Sequence, residues 1–480
     1  MALWRQMLAV KSIDALLAEA AGENRLRRVL GPVSLSALGV GAIIGAGIFV
    51  LTGLAAKEFA GPGLALSFIV AGTGCTLAAL CYAEFASTVP VAGSAYAYAY
   101  ATLGELMAWI IGWDLVLEYA VASSTVAYGW SHYFLSLLGL FGVEISKTWT
   151  ASPIDYDPAL GHWIATGSIC NLPAALVVLA VTVVLVIGIR ESARFNAAMV
   201  ILKVAVVLFV IVVGAAYVDP NNWQPFLPYG WDGVMRGASY IFFAYIGFDS
   251  VSTHAEEARN PQRDVPIAIL ASLLSCTILY VLVAVVLTGM VPFNEISVNA
   301  PVADAFSRHG LKAATLLISS AAVVGITSVL LVLLLSQARV LFAMARDGLI
   351  PRSFFAAVHP RFRTPHKATI LTGVIVALIA ALFPLELLAD LVNIGTLFAF
   401  VIVCGSVLIL RRTQPTLHRP FRTPFVPFVP LAGIAMNLAL MLSLGWENWL
   451  RLGVWLAVGL AIYFVYGRHR SVMAHAGELS

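Results

Sequence analysis

The stretch Gly39-Val-Gly-Ala-Ile-Ile-Gly-Ala-Gly-Ile-Phe49 places four glycines inside an otherwise apolar segment. Each glycine in a helix interior costs about 1 kcal/mol relative to alanine. Packing of small residues against neighbouring helices explains Gly39 and Gly41 as well as unwinding does. The run Gly45-Ala46-Gly47 is denser than packing requires, so we predict that the helix is unwound there.

A second interruption is predicted 202 residues after Gly45, in Tyr240-Ile-Phe-Phe-Ala-Tyr-Ile-Gly-Phe-Asp249-Ser, where a glycine and an acid divide an aromatic run. Interrupted helices at matching places in two halves of a chain are typical of inverted-repeat transporters with a binding site near the membrane midplane. We therefore predict five-helix repeats over residues 35–218 and 233–410, followed by two added helices over 426–467.

The composition around these stretches is that of a membrane protein. Of 480 residues, 60% are hydrophobic and only 11% are charged, whereas a soluble domain carries about 25% charge. The mean hydropathy is +0.92, and the long continuous apolar runs exclude a transmembrane barrel. At about 20 apolar residues per crossing, we predict an all-α integral membrane protein with twelve spans: 35–55, 62–85, 103–138, 172–189, 195–218, 233–253, 266–290, 312–343, 368–384, 386–410, 426–446 and 449–467.

The distribution of positive charge predicts the orientation. Twenty of the 28 lysines and arginines lie in the two ends of the chain and the even-numbered connections, and six lie on the opposite side, in the odd-numbered connections or at the span ends beside them. Cytoplasmic loops carry the excess of positive charge, so both termini are expected in the cytoplasm of a multi-pass protein of the cell membrane. Segment 1–34 is predicted to include an amphipathic interfacial helix over residues 4–20, and 468–480 to form a cytoplasmic tail.

Several function classes are excluded or disfavoured by the same residues. The net charge of +3 is too small to indicate nucleic acid binding. The five cysteines lack the spacing of metal ligands or of a disulfide framework. No convergent set of nucleophile, base and metal ligands is recognisable, so we predict neither an enzyme nor a cofactor.

The two unwound segments themselves indicate a ligand. Unwinding frees N–H groups at the start of one half-helix and C=O groups at the end of another. The N–H groups attract an anion and the carbonyls attract an ammonium group. An α-amino acid carries both about 2.5 Å apart across one carbon. Backbone breaks at mid-membrane depth are tolerated only where they line such a binding cavity.

Four motifs together resemble the amino acid–polyamine–organocation superfamily, and within it the cationic amino acid transporter branch. The resemblance covers roughly residues 30–465, and it rests on the combination, since each motif alone is weak. The motifs are residues 39–49, Pro90-Val-Ala-Gly-Ser-Ala-Tyr96, residues 242–269, and Gln337-Ala-Arg-Val-Leu-Phe-Ala-Met-Ala-Arg-Asp-Gly-Leu-Ile-Pro351.

The resemblance implies a LeuT-type fold, in which spans 3, 4, 8 and 9 surround a moving bundle of spans 1, 2, 6 and 7. By position, it implies that amides near Gly45, Ala46 and Gly47 hold the substrate carboxylate. The amine would be held by carbonyls of Ile43 or Ile44 and of Phe243, Ala244 and Ile246. It also makes Phe243 or Phe248 a candidate gate on the outer side, with ordinary aromatic packing as the alternative.

Lys203 lies inside span 5, about 12 Å from its start at 1.5 Å per residue. Snorkelling to the interface is one interpretation. The resemblance favours another, because a lysine of proton-coupled relatives lies beside span 1 where sodium-coupled members hold an ion. A lysine amine removed from water can take up and release a proton during transport. A sodium requirement is therefore disfavoured.

Other intramembrane polar groups are secondary candidates. Glu118, in the middle of span 3, could pair with a cationic substrate or serve only as a structural partner. Thr327 could border the side-chain pocket or simply bond the carbonyl four residues before it. Asp249 could bond loose backbone, and Glu84 is expected to be structural or gating. The charged residues at the inner end of span 6 suit either an inner-gate ion-pair network or a solvated face: Glu256, Glu257, Arg259, Arg263 and Asp264.

The function we predict is amino acid transport by alternating access, as an amino acid/proton symporter for a cationic or small neutral L-amino acid. The expected partners are the substrate, the proton and the lipid bilayer, and the sequence leaves open a small accessory subunit. Uniport or exchange of cationic amino acids is the alternative within transport. A non-transporting amino acid sensor is the alternative outside it.

Overall fold

The computed structural model describes residues 7–12, 30–89, 94–157, 162–188 and 193–473. Most of the predicted amphipathic helix 4–20 and the end of the predicted tail lie outside the described residues. Within the described ranges the chain is mainly helical, with one antiparallel two-stranded hairpin.

The principal elements follow one another along the chain with short connections. Their bounds are α1 Pro32–Ile43, α2 Leu64–Thr88, α3 Ser94–Thr102, α4 Glu105–Leu140, β1 Ile154–Asp157, β2 His162–Ala165, α5 Leu172–Ile187, α6 Ala193–Gly214, α7 Gly230–Ile241, α8 Ser250–Thr253, α9 Pro261–Met290, α10 Pro301–Arg308, α11 Lys312–Arg346, α12 His366–Leu382, α13 Leu385–Thr413, α14 Phe428–Ser443 and α15 Trp446–Ile462.

Each predicted span coincides with helical chain. By length and composition, seven described helical stretches could cross a membrane, and the first of them, Pro32–Thr88, contains the first two predicted spans. Three further apolar helices, α5, α12 and α14, have 16 or 17 residues. The predicted span 233–253 is divided, since α7 ends at Ile241 and α8 begins at Ser250.

The structure also contains elements that the sequence analysis did not predict: α3, the β1–β2 hairpin and α10. A search for long apolar runs misses them because all three are short and lie in connections. The predicted span beginning at residue 103 starts instead with α4 at Glu105. The chain turns at Gly104, whose φ of 93° is a left-handed value that favours glycine.

The helices pack in two sets around the first break. One set contains α4, α5, α11 and α12, which pack against one another, and α4 also packs along α13. In the other set, α2 packs along α9 and α7, while α1 packs against α9. Because α1 also contacts α11, and Gly45 at its interrupted end lies against Val329 of α11, this end lies where the two sets meet.

Candidate functional site

The helix that begins with α1 is interrupted at Ile44 and Gly45. Ile44 has an extended backbone with ψ of 102°, and π-helical chain resumes over Gly47–Leu51. The interruption therefore begins one residue before the predicted Gly45–Gly47. Within the described part of the chain, the N–H groups of Gly45 and Ala46 have no acceptor and the Ile44 carbonyl accepts no hydrogen bond.

The second interruption follows α7. A 3-10 turn over Phe242–Tyr245 leads to Ile246, which has ψ of 135°, and then to Gly247, whose φ of 119° is accessible to glycine but strained for other residues. The Phe243 carbonyl accepts the Ile246 N–H at 3.1 Å. The Ile246 carbonyl accepts no hydrogen bond from any described residue.

The two interruptions are in direct contact. A Cβ added to Gly47 would lie 2.3 Å from the Ala244 Cα atom, and a Cβ added to Gly247 would lie 2.9 Å from the Ala42 carbonyl oxygen. Any side chain at either position would overlap backbone, so glycine is required for this approach. The contact brings together the predicted carboxylate-binding residues of the first break and the predicted amine-binding residues of the second.

Two tyrosines that the sequence analysis missed bond the first interrupted segment. The Tyr280 hydroxyl on α9 donates to the Ile43 carbonyl at 2.8 Å, and the Tyr133 hydroxyl on α4 donates to the Phe49 carbonyl at 2.6 Å. Both side chains are fully buried. No local sequence signal could have identified them, because each lies in an ordinary apolar helix far along the chain from its partner.

Lys203 is buried on α6 with a relative exposure of 1%. Its Nζ donates to the Gly41 carbonyl of α1 at 2.6 Å. Its stem packs on α11, since a Cβ added to Gly325 would lie 3.2 Å from the Lys203 Cε and Cγ atoms. The ammonium group is therefore directed at the last turn of α1 before the break, and does not extend along the helix to the membrane surface.

The acids near the second break have partners of their own. The Asp249 carboxylate accepts hydrogen bonds from the Tyr119 hydroxyl at 2.9 Å and from the Gly247 N–H at 3.2 Å. Glu118, one residue before Tyr119 on α4, is 2% exposed and interacts with Thr396 of α13. The structure thus joins Asp249 to the backbone of the break, and places Glu118 between α4 and α13.

Thr327 uses its hydroxyl in hydrogen bonds within the protein, and the two candidate gate residues, Phe243 and Phe248, are buried. The Thr327 hydroxyl donates to the Val323 carbonyl at 2.7 Å, the i−4 bond considered above, and accepts from Trp130 Nε1 at 2.9 Å. Phe243 is 5% exposed. Phe248 is fully buried against Tyr82, close to the Glu84 end of α2. The packing leaves the predicted gating role of Phe248 as a prediction.

Two residues of the predicted inner gate, Glu257 and Arg259, bond the chain before α1 through their backbone. The Glu257 carbonyl accepts the Leu30 N–H at 3.0 Å, and the Arg259 N–H donates to the Leu30 carbonyl at 2.8 Å. Arg263 is exposed at the start of α9, and the side chain of Glu256 lies outside the described residues. The parallel bridge between Leu30 and Ala258 thus joins the chain just before the first interrupted helix to the end of the second interrupted helix.

Ion pairs on this side involve partners that the sequence analysis did not identify. Glu84, 1% exposed on α2, pairs with Arg411 at 2.7 Å and with Arg419 at 3.3 Å. Burial lowers the pKa of Arg419, while Glu84 acts in the opposite direction. Lys11 pairs with Asp347 at the end of α11 at 2.9 Å.

Two interrupted helices in contact within an apolar helical bundle are characteristic of membrane transporters that bind a small solute between the interrupted segments. Comparison with known sequences identifies the family within this class of transporters. The chain belongs to the amino acid permease family, whose signature it matches over residues 30–461.

Individual relatives cover nearly the whole chain. It is 51% identical to the branched-chain amino acid permease BcaP of Bacillus subtilis (strain 168), over 96% of this chain and 97% of that protein. It is 46% identical to the methylthioribose transporter of the same organism, over 96% and 98%. Identity to the vacuolar cationic amino acid transporter 2 of Arabidopsis thaliana is 43%, over 86% of this chain and 64% of that protein. The protein is therefore a permease and not an enzyme.

Proposed function

We propose that the protein is a proton-coupled importer of α-amino acids with apolar side chains, working by alternating access. The observation that supports this proposal most is the free backbone at the two breaks. The N–H groups of Gly45 and Ala46 suit a carboxylate, and the carbonyls of Ile44 and Ile246 suit an ammonium group. These donors and acceptors complement the carboxylate and the ammonium group that every α-amino acid carries, so the substrate side chain must be bound by other residues.

The architecture proposed with this function has twelve crossings arranged as two inverted five-helix repeats, 35–218 and 233–410, with both termini in the cytoplasm. It is supported by the coincidence of helical chain with every predicted span and by the facing breaks. The two packed sets of helices would move against each other, and the bound amino acid would lie between them.

The proposed preference for an apolar side chain rests on what surrounds the first break. A Cβ on Gly45 would meet Val329 at 2.8 Å, and a Cβ on Gly129 of α4 would meet Val50 at 2.8 Å and Ala46 at 3.5 Å. Glu118 lies three helical turns before Gly129, about 16 Å along α4. It lies beside the second break and not the first, since its neighbour Tyr119 bonds Asp249. The branched-chain name of one relative agrees with an aliphatic pocket.

Coupling to protons is assigned to Lys203. As an ammonium group it holds the Gly41 carbonyl through a charge-assisted hydrogen bond. Loss of the proton removes the charge and weakens this bond, which releases the end of α1 next to the substrate amine. Proton binding and the geometry of the first break are thereby linked.

The test is uptake of labelled isoleucine, arginine and methylthioribose into sodium-free proteoliposomes, with and without an inward proton gradient. We expect isoleucine to accumulate with the gradient. Arginine and methylthioribose should not accumulate, since the first brings a charged side chain and the second lacks the amino acid head group. Uptake that needs sodium or ignores the gradient would overturn the coupling, and preferential uptake of arginine would overturn the substrate class.

Lys203→Ala should abolish gradient-driven accumulation while counterflow exchange of isoleucine persists. The matched control is Lys312→Ala, which removes an exposed lysine at the start of α11 and should leave both activities unchanged. Gradient-driven accumulation by Lys203→Ala at the wild-type level would contradict the assignment.

A further inference from the structure

We propose that the connection between α13 and α14, residues 414–427, together with the helix ends beside it, binds the headgroups of anionic phospholipids. Both helices are apolar, so the connection that joins them lies at a membrane surface. Residues 411–428 contain four arginines and no aspartate or glutamate. Such a basic segment at a membrane surface attracts acidic lipids.

The arginines of this segment form two pairs, one bonded to a buried acid and the other exposed. Arg411 and Arg419 are directed inward and bind Glu84. Arg412 and Arg422 are exposed, and neither forms an ion pair with any described residue. The first pair holds the connection against α2, and the second pair presents two guanidinium groups to the surroundings, a geometry suited to phosphate oxygens.

Two exposed aromatic rings favour a phospholipid over a free inorganic anion as the ligand of this segment. Phe425 is 82% exposed and Phe428 is 75% exposed. Phe425 has a φ of 47°, a left-handed value that is unfavourable for a residue with a side chain. Rings beside guanidinium groups at the end of an apolar helix suit the boundary between headgroups and acyl chains, whereas inorganic phosphate would not use them.

The backbone around Phe425 is held from both sides. The Thr423 N–H donates to the Glu84 carboxylate at 2.7 Å, and the Val429 N–H donates to the Phe425 carbonyl at 3.2 Å. The Thr423 hydroxyl also donates to the Leu80 carbonyl of α2 at 3.1 Å. The rings and the two free arginines are therefore presented on a fixed loop.

The experiment measures phosphatidylglycerol retained by the purified full-length protein in nanodiscs of phosphatidylcholine containing a minor fraction of phosphatidylglycerol. The variants are Arg412→Gln/Arg422→Gln and Phe425→Ser, and the control is Lys147→Gln/Lys312→Gln, which removes two exposed charges elsewhere. We expect enrichment around wild type and control, a loss of about fivefold for each arginine removed, and a partial loss for Phe425→Ser. Melting temperatures in pure phosphatidylcholine check the folding of each variant.

Equal phosphatidylglycerol enrichment around wild type and a folded double-arginine variant would overturn the proposal. Displacement of the lipid by millimolar inorganic phosphate, with no effect of Phe425→Ser, would also overturn it, because the segment would then be a simple anion site. Neither readout depends on transport, so the result is independent of the proposed function.

Discussion

Gly47 is the residue at which the two interrupted segments approach most closely, because a Cβ there would overlap the Ala244 backbone at 2.3 Å. We predict that Gly47→Ala lowers the free energy of unfolding by about 1–3 kcal/mol, the usual range for overpacking, and abolishes isoleucine uptake. Thermal unfolding in detergent and vesicle uptake measure the two effects.

Gly453→Ala is the control for this change. Gly453 lies within α15, and an added Cβ would meet nothing within 4 Å. Alanine at that position should leave transport unchanged and raise the melting temperature slightly. A Gly47→Ala protein with normal uptake would show that the two segments do not need this contact.

Tyr280 occupies the Ile43 carbonyl, which adjoins the free Ile44 carbonyl that the substrate amine is proposed to approach. Tyr280→Phe leaves the Ile43 carbonyl without its donor at 2.8 Å, which should destabilise the empty protein by about 0.5–1.5 kcal/mol. An ammonium group can supply the lost bond, so we predict a lower KM for isoleucine with a small loss of melting temperature.

The comparison for that variant is Tyr245→Phe, because the Tyr245 hydroxyl donates to the Phe68 carbonyl of α2 at 2.8 Å. It should show a similar loss of stability with no fall in KM. If the KM rises in Tyr280→Phe, the tyrosine supports the substrate site and does not compete for its carbonyl.

Glu84 joins three elements, α2, α13 and the connection that follows α13. Glu84→Gln leaves Arg411 and Arg419 without their anionic partner, and removing one member of a buried ion pair costs about 3–5 kcal/mol. We predict a large fall in the unfolding midpoint. Arg308→Gln, which breaks an ion pair with both side chains about half exposed, should cost less than about 1 kcal/mol.

Chemical unfolding of both variants under one set of conditions measures this difference. Equal midpoints for Glu84→Gln and Arg308→Gln would mean that the Glu84 ion pairs add little to the packing of α2 against α13.

The elements also show what the sequence can and cannot predict. The helix positions followed from apolar run length, and both breaks were placed to within a few residues, since glycine density and a buried acid are local signals. The partners could not be predicted. Tyr280 meets Ile43, and Arg411 meets Glu84, only because the bundle brings distant helices together. The hairpin and α3 were missed because hydropathy registers only long apolar runs.

For the whole molecule, the excess of positive charge predicts that both ends lie in the cytoplasm. A fluorescent protein fused after Ser480 should therefore fluoresce, whereas alkaline phosphatase fused there should be inactive. Fusions that end at Lys147, in a connection predicted to be external, should give the opposite pattern. Active phosphatase at Ser480 would reverse the orientation.

The bridge between Leu30 and Ala258 has a consequence for how the permease can work. It ties the beginning of one interrupted helix to the end of the other through two main-chain hydrogen bonds, from which only a substitution to proline would remove a donor. In the proposed alternating-access cycle, we therefore expect a swing of one interrupted helix to be transmitted to the other through this backbone joint. Coupled movement of the two helices would open one face of the protein as it closes the opposite face, and so disfavour a state open on both sides.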